Sequence, residues 1–325
     1  MSNDEYDSPW KEAIETYFQE CIEFFFPVAA EGIDWKGGYT FLDKELQQVV
    51  RDAELGQRFV DKLVQVWQRN GEERWVLVHL EVQSYEETNF AQRMYVYHYR
   101  LFDRYNRSIA SLAILGDDRP TWKPNQFSDE LWGCEVKFKF PIVKLLEYSE
   151  QWGELEASSN PFATVVMAHL KAKETRQDNQ SRKRWKLDLT KRLYEKGYQR
   201  EDIINLFRFI DWVMKLPEEL ENSFWQEVTQ YEDKNKMPYI TSVERRGIAQ
   251  GIAQGIELGI EQGIELGKRE GLLEGIEMVL ELKFGSEGLT ILQEVAQIQN
   301  VEILRAILTS IKTVNSLEEF RQIYQ

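Results

Sequence analysis

Two short runs of β-forming residues carry the side chains with the most chemical potential. Asp61 interrupts the apolar pattern of Phe59–Trp67, and Glu81 and Gln83 stand two apart at the end of Trp75–Gln83. Alternate residues of a strand share a face. Phe59, Asp61 and Leu63 therefore lie on one side of the first strand, and His79, Glu81 and Gln83 on one side of the second. The turn-rich Arg69, Asn70 and Gly71 between the runs predict a hairpin, whose turn near Asn70 brings Asp61 and Glu81 close to opposite one another. Two carboxylates held together amid apolar strands are costly unless a cation compensates, and their hard oxygens suit Mg²⁺ or Mn²⁺. Such an ion activates water and offsets the charge that develops on a phosphodiester under attack. A solvated strand face would show the same spacing, so the residues alone leave both readings open.

The elements that must position these residues follow from periodicity. Ile14, Phe18, Ile22 and Phe25 recur at helical spacing over Trp10–Phe26, with Pro27 as the stop, and a second helix is expected over Lys44–Asp52. After the hairpin come a helix over Asn89–Asn106, a strand over Ser108–Leu115 and a strand over Glu135–Phe140. This order predicts an α/β (α+β) fold, a mixed sheet flanked by helices. Arg93, Tyr97, Arg100 and Arg104 share one face of the Asn89–Asn106 helix. If the start of that helix abuts the acidic pair, Arg93 and Tyr97 could meet a scissile phosphate, which arginine binds in bidentate fashion. The alternative is a helix whose tyrosines pack in the core and whose arginines pair with surface acids.

Beyond Asn160 the pattern is helical, with turns at Gly197 and Pro217 and an irregular stretch over Lys234–Pro238. Glycine then recurs every fourth residue, at Gly247, Gly251, Gly255, Gly259, Gly263, Gly267, Gly271 and Gly275. Each costs a helix about 1 kcal/mol relative to alanine, so the series calls for close backbone packing in return. The segment is expected either to pair with its own copy, giving a homodimer or higher oligomer, or to act as a tether. Glu257, Glu261 and Glu265 exclude a membrane role for this spacing. The organisation expected is a core over 1–170, a helical extension with a basic segment over 171–240, the glycine-repeat helix over 241–285 and a small helical region over 286–325. Ser316 and Glu319 form a capping pattern at its last helix.

Composition narrows the function classes. With 42% hydrophobic residues, ten Trp and seventeen Phe, the chain can bury a core and is not a disordered one. A net charge of −15 counts against a protein that coats nucleic acid, because such binding is mostly phosphate neutralisation. Lys171–Arg200 runs against that balance, with eleven Lys and Arg against four Asp and Glu, and reads as a local basic surface or a solvated helical face. Cys21 and Cys134 match no metal spacing, and His79, His98 and His169 are too few and too scattered for a histidine cluster. No run of eighteen apolar residues exists and the N-terminus is acidic, so a cytoplasmic protein is expected, without a membrane partner.

The strings FVDKLVQVW (59–67), WVLVHLEVQ (75–83) and FAQRMYVYHYRLFDRY (90–105) resemble the Rpn family of recombination-promoting nucleases and transposase-like proteins, of cyanobacterial type, within the PD-(D/E)xK superfamily. NPFATVVMAHL (160–170), FIDWVMKLP (209–217) and MPYITSVERR (237–246) extend the likeness to about Arg246. The resemblance implies a restriction-endonuclease-like core, a Mg²⁺- or Mn²⁺-dependent endonuclease acting on DNA, and a role in recombination, mobile elements or defence. Asp61 and Glu81 match its metal-binding acids, and Gln83 stands where the superfamily usually has lysine. A lysine can lower the pKa of an attacking water or steer it, whereas neutral Gln83 can only orient it. The resemblance also implies an acid from the first core helix, for which Glu45 is the candidate and Asp43 the alternative. Loss of the lysine and the acidic net charge point as well to a second class, a non-cleaving oligomeric DNA-binding or interaction protein that keeps the fold.

Overall fold

The computed structural model describes residues 4–42, 46, 60–69, 73–81, 89–235, 267–269, 271–285, 287–288, 291–292, 294–296, 298, 300–311, 314 and 316–321, with the backbone alone for 4–8, 60–61 and 73–81. The chain forms two compact units, 1–245 and 246–325.

The first unit is mixed α/β. Three helices open it, α1 (Asp4–Thr16), α2 (Phe18–Phe25) and α3 (Pro27–Gly32). The single helix expected over Trp10–Phe26 is interrupted at Tyr17, whose φ of −128° and ψ of 44° leave the helical region. Pro27 does stop a helix, and it also starts the next one, since proline at the first helical position sacrifices no hydrogen bond. The helix expected over Lys44–Asp52 lies outside the described residues except at Leu46, which is helical.

A five-stranded sheet follows, in the order β1 (Tyr39–Phe41), β2 (Val60–Trp67), β3 (Glu73–Glu81), β4 (Ile109–Leu115) and β7 (Ile142–Lys144). β1, β2 and β3 are antiparallel neighbours, whereas β3, β4 and β7 run parallel. Parallel pairing needs a crossover, and α4 (Phe90–Tyr105) supplies it between β3 and β4. β4 reads as an almost unbroken apolar run because both faces of this central strand are covered. On one face Ala113 and Leu115 pack against Phe90 and Met94 of α4; Leu63 of β2 packs there against Tyr97 and Leu101. On the other face the buried Lys62 reaches Glu15 of α1, and Phe18 of α2 meets Tyr39 and Phe41 of β1.

A separate two-stranded ribbon, β5 (Gln126–Leu131) with β6 (Cys134–Lys139), lies on α4, where Phe127 and Phe138 pack on Tyr95 at ring distances of 5.0 and 5.8 Å. The predicted strand over Glu135–Phe140 is thus β6, and its partner is a ribbon strand rather than the main sheet. A short α5 (Trp152–Ala157) leads into a helical layer of α6 (Pro161–Glu174), α7 (Asn179–Glu195), α8 (Arg200–Val213) and α9 (Glu218–Asn235). Asn160 caps α6 by accepting from the Phe162 N–H, with Pro161 at the first turn. Every residue from Pro161 to Leu170 is buried, and Trp10 ties α6 to α1 and α8 through Phe162 and Phe209.

In the second unit a helix over 271–285 places Ile276 and Leu280 in one core with Ile291, Val295, Leu304, Ile307, Ile311 and Phe320. Residues on both sides of position 285 therefore share that core. The Glu319 N–H donates to Ser316 Oγ at 3.2 Å, as the capping pattern requires. Among the described residues no helix is long and apolar enough to cross a membrane.

Candidate functional site

The hairpin register decides how the acidic residues stand. β2 and β3 pair with Asp61 opposite His79 and Val60 opposite Leu80. Glu81 is one diagonal step from Asp61 on the same face, a separation of about 7–8 Å between Cα atoms, rather than directly across. Glu81 in turn pairs with Leu115, and Leu115 with Lys144, so one row crosses three strands at the carboxyl end of the parallel strands. For Asp61, His79 and Glu81 the described structure is the backbone; Gln83, Glu45 and Asp43 lie outside the described residues.

The helix over this face is α4. Its first turn lies at that same edge, since Phe90 and Met94 pack with Ala113 and Leu115 while Leu101, Tyr105 and Ile109 cluster at the other end. Arg93 therefore stands on the face of α4 turned to the sheet, only 4% exposed, with its guanidinium 5.4 Å from the Phe90 ring. Tyr97 is 1% exposed and packs in the core with Leu63 and Leu101. Arg100 is half-buried and Arg104 exposed. The four residues spaced as one face thus grade from core to solvent along the helix.

A second polar cluster occupies the loop after β4, and the sequence reading missed it. Asp117 and Lys144 form an ion pair with both side chains buried, and Lys144 also donates to the Trp122 carbonyl at 3.2 Å. His169, fully buried on α6, accepts from Trp10 Nε1 at 3.4 Å and donates through Nε2 to the Gly116 carbonyl at 3.2 Å. Burial, reinforced by the charge of Lys173, pushes the His169 pKa down to about 3. A neutral imidazole with both nitrogens engaged is a structural bolt, not an acid or base at neutral pH. Lys173 is held by the Gly116 carbonyl and by Asp118 at 2.5 Å, and burial lowers its pKa. The cleft of about 330 Å³ beside these groups has a floor of Leu145, Leu146 and Leu170, and its charges are mutually compensated. The available signal was the Gly116-Asp117-Asp118 triplet straight after an apolar strand.

Part of the basic segment over Lys171–Arg200 is engaged inside the molecule, while Arg176, Arg184 and Arg200 are exposed. Lys186 is fully buried between Asp211 (2.6 Å) and Glu221 (2.9 Å). Lys183 pairs with Glu227 and Arg192 with Glu156, while Arg182 donates to the Ala172 carbonyl at 2.7 Å. Lys171 sits over the rings of Trp152 and Trp185 at 4.5 and 4.2 Å. Acids on α5, α8 and α9 thus offset part of the charge excess of the segment.

Among the described residues no three His, Cys, Asp or Glu side chains are grouped to hold a metal. Cys21 is buried, Cys134 is exposed, and neither forms a disulfide. Comparison with protein-family models, with curated proteins and with solved structures found no match.

Proposed function

We propose that the first unit is a restriction-endonuclease-like domain that hydrolyses DNA phosphodiesters with Mg²⁺ or Mn²⁺. The observation that carries this reading is the register that puts Asp61 and Glu81 on one face, one diagonal step apart, at the sheet edge where α4 begins. The donor set suits the ion, because two carboxylates and an amide carbonyl are the hard oxygens that Mg²⁺ prefers, and a diagonal pair can converge on one cation. Asp61 and Glu81 would hold it, with Glu45 as a further acid and Gln83 orienting the attacking water. When bound, the ion supplies a water of lowered pKa and charge for the phosphoryl oxygens. Arg93, in the first turn of α4, is the cation of this helix nearest the acidic pair, Arg100 lies about two turns further along, and Tyr97 anchors the helix on Leu63.

The glycine segment belongs to the same proposal as a homo-oligomer contact. A Cβ placed at Gly267 or Gly271 would meet nothing within 4 Å, which leaves that side open to a copy, whereas one placed at Gly275 would lie 3.3 Å from Leu308 Cδ2. A link to recombination, mobile elements or defence, and a cytoplasmic location, rest on the sequence reading alone. One observation favours the second reading, a non-cleaving interaction protein that keeps the fold: Lys183, Lys186 and Arg192 of the basic segment pair with acids of this chain, which reduces the charge offered to a nucleic acid there.

The test is cleavage of supercoiled DNA by the full chain with Mg²⁺ or Mn²⁺, beside Asp61→Ala and Glu81→Ala. Nicking that disappears in both variants supports the nuclease. Cleavage that survives both sinks the assignment, and an intact substrate under every metal moves the reading to the interaction protein.

A further inference from the structure

The ribbon β5–β6 ends in a turn that is hard to explain within one chain. Leu131 pairs with Cys134, so Trp132 and Gly133 form a two-residue hairpin loop, with φ of +53° and +85°. Both angles belong to the turn that normally takes Asn-Gly, and a bulky L residue is strained in the left-handed region. Trp132 gains no burial in return: it is 97% exposed, beside Leu131 at 60%. The ribbon runs from Phe140 beside Phe90, through Phe138 beside His98, towards the C-terminal half of α4, where Tyr99 and Phe102 are also about half exposed. Two large apolar side chains at the ribbon tip and two on α4 thus face solvent.

The backbone of the ribbon identifies what meets them. β5 and β6 have only each other as strand neighbours among the described residues. In a two-residue hairpin the closing pair is hydrogen-bonded, so Cys134, Val136 and Phe138 turn their N–H and C=O groups towards β5. Glu135, Lys137 and Lys139 turn theirs outward. An edge of this kind is a template for another strand. Its side chains choose the strand. If β6 meets β6 of a second copy antiparallel about a two-fold at Val136, Glu135 stands opposite the partner's Lys137 and Lys137 opposite the partner's Glu135. Moving the axis to Lys137 sets Lys137 against itself although Glu135 then meets the partner's Lys139, and moving it to Glu135 sets glutamate against glutamate. β5 carries Asp129 and Glu130 and no cation, so no register of its self-pairing sets an acid against a cation. Lysines on an edge strand ordinarily repel such pairing, but here Glu135 two residues away offsets the repulsion, and of these three registers only the one centred on Val136 has no like-charge pair.

We propose that the outer edge of β6 is a dimer interface for a second copy of this chain, joining two ribbons into a four-stranded sheet with the two-fold at Val136. In that register the Trp132 tip lies beside the partner's ribbon base at Lys139 and Phe140, which covers the indole and accounts for its retention in a strained turn. This contact is independent of the nuclease reading and of the glycine segment.

The experiment is sedimentation equilibrium of the full chain with charge-swapped variants. Lys137→Glu and Glu135→Lys, each reversing two cross-strand pairs, are expected to raise the dimer Kd about tenfold, and the double swap E135K/K137E to return it to the wild-type value. Trp132→Asn should weaken association while raising the melting temperature, because asparagine accepts the left-handed conformation. A fold-supporting tryptophan would lower both. Association indifferent to the single swaps, a double swap that does not restore it, or a chain that stays monomeric up to about 100 μM overturns the proposal.

Discussion

Among single residues, burial and ion pairing mark the polar groups of the first unit that fix the fold. His169 is one of them. Its ordinary pKa near 6.5 applies in the unfolded chain, while burial depresses it to about 3 in the folded one. The unfolded state therefore binds more protons between those values, so the contribution is complete above about pH 6.5 and is lost as pH falls towards 3. We predict that His169→Gln flattens the acid side of the stability profile relative to the native chain by up to about 1.4 kcal/mol per pH unit, the slope of one proton, measured by denaturant titration between pH 4 and 7. An unchanged difference across that range would refute the depressed pKa. Lys186 gives a second case. Lys186→Met leaves Asp211 and Glu221 without their cation, and the expected loss is about 3 kcal/mol, read from urea midpoints. Asp61 and Glu81 stood out in the sequence because an acid in a period-2 apolar run is conspicuous. Asp117 and Lys144 did not, because their contact spans 27 residues and depends on β7 pairing beside β4.

Periodicity revealed elements in proportion to their length and to how unequal their two faces are. β2, β3, β4 and α4 were legible because each is long enough to display its period. β1 and β7 have three residues each and exist only through their neighbours' hydrogen bonds. β5, with the sequence QFSDEL, is mostly exposed and lacks an apolar alternation to detect. The break at Tyr17 was equally hidden, since the apolar spacing continues through it and the deviation is in the backbone. The glycine-rich helix yields a prediction at this scale. Gly271→Ala meets open space and should stabilise the second unit by roughly 1 kcal/mol, the usual helix preference for alanine. Gly275→Ala should gain little or nothing, because Leu308 must shift to admit the methyl group. Thermal unfolding followed by circular dichroism separates the two variants, and equal gains would show that Leu308 does not restrict Gly275.

Over the whole molecule, the chain combines a mixed α/β unit over 1–245 with a small helical unit over 246–325. The mixed α/β class and the helical C-terminal region could be read from the order of patterns, whereas the ribbon standing apart from the main sheet could not, because strand partners are a long-range property. With a net charge of −15, a nucleic-acid contact would depend on a local group of cations rather than on the overall charge. What unites these features is the proposal that Asp61 and Glu81 share a divalent cation. Mn²⁺ binding to the full chain, followed by electron paramagnetic resonance at neutral pH, examines it without reference to any substrate. The expected result is at least one site on the native chain that is lost in Asp61→Asn and in Glu81→Gln while circular dichroism shows both variants folded. Binding that is absent from the native chain, or unchanged in both variants, would contradict it.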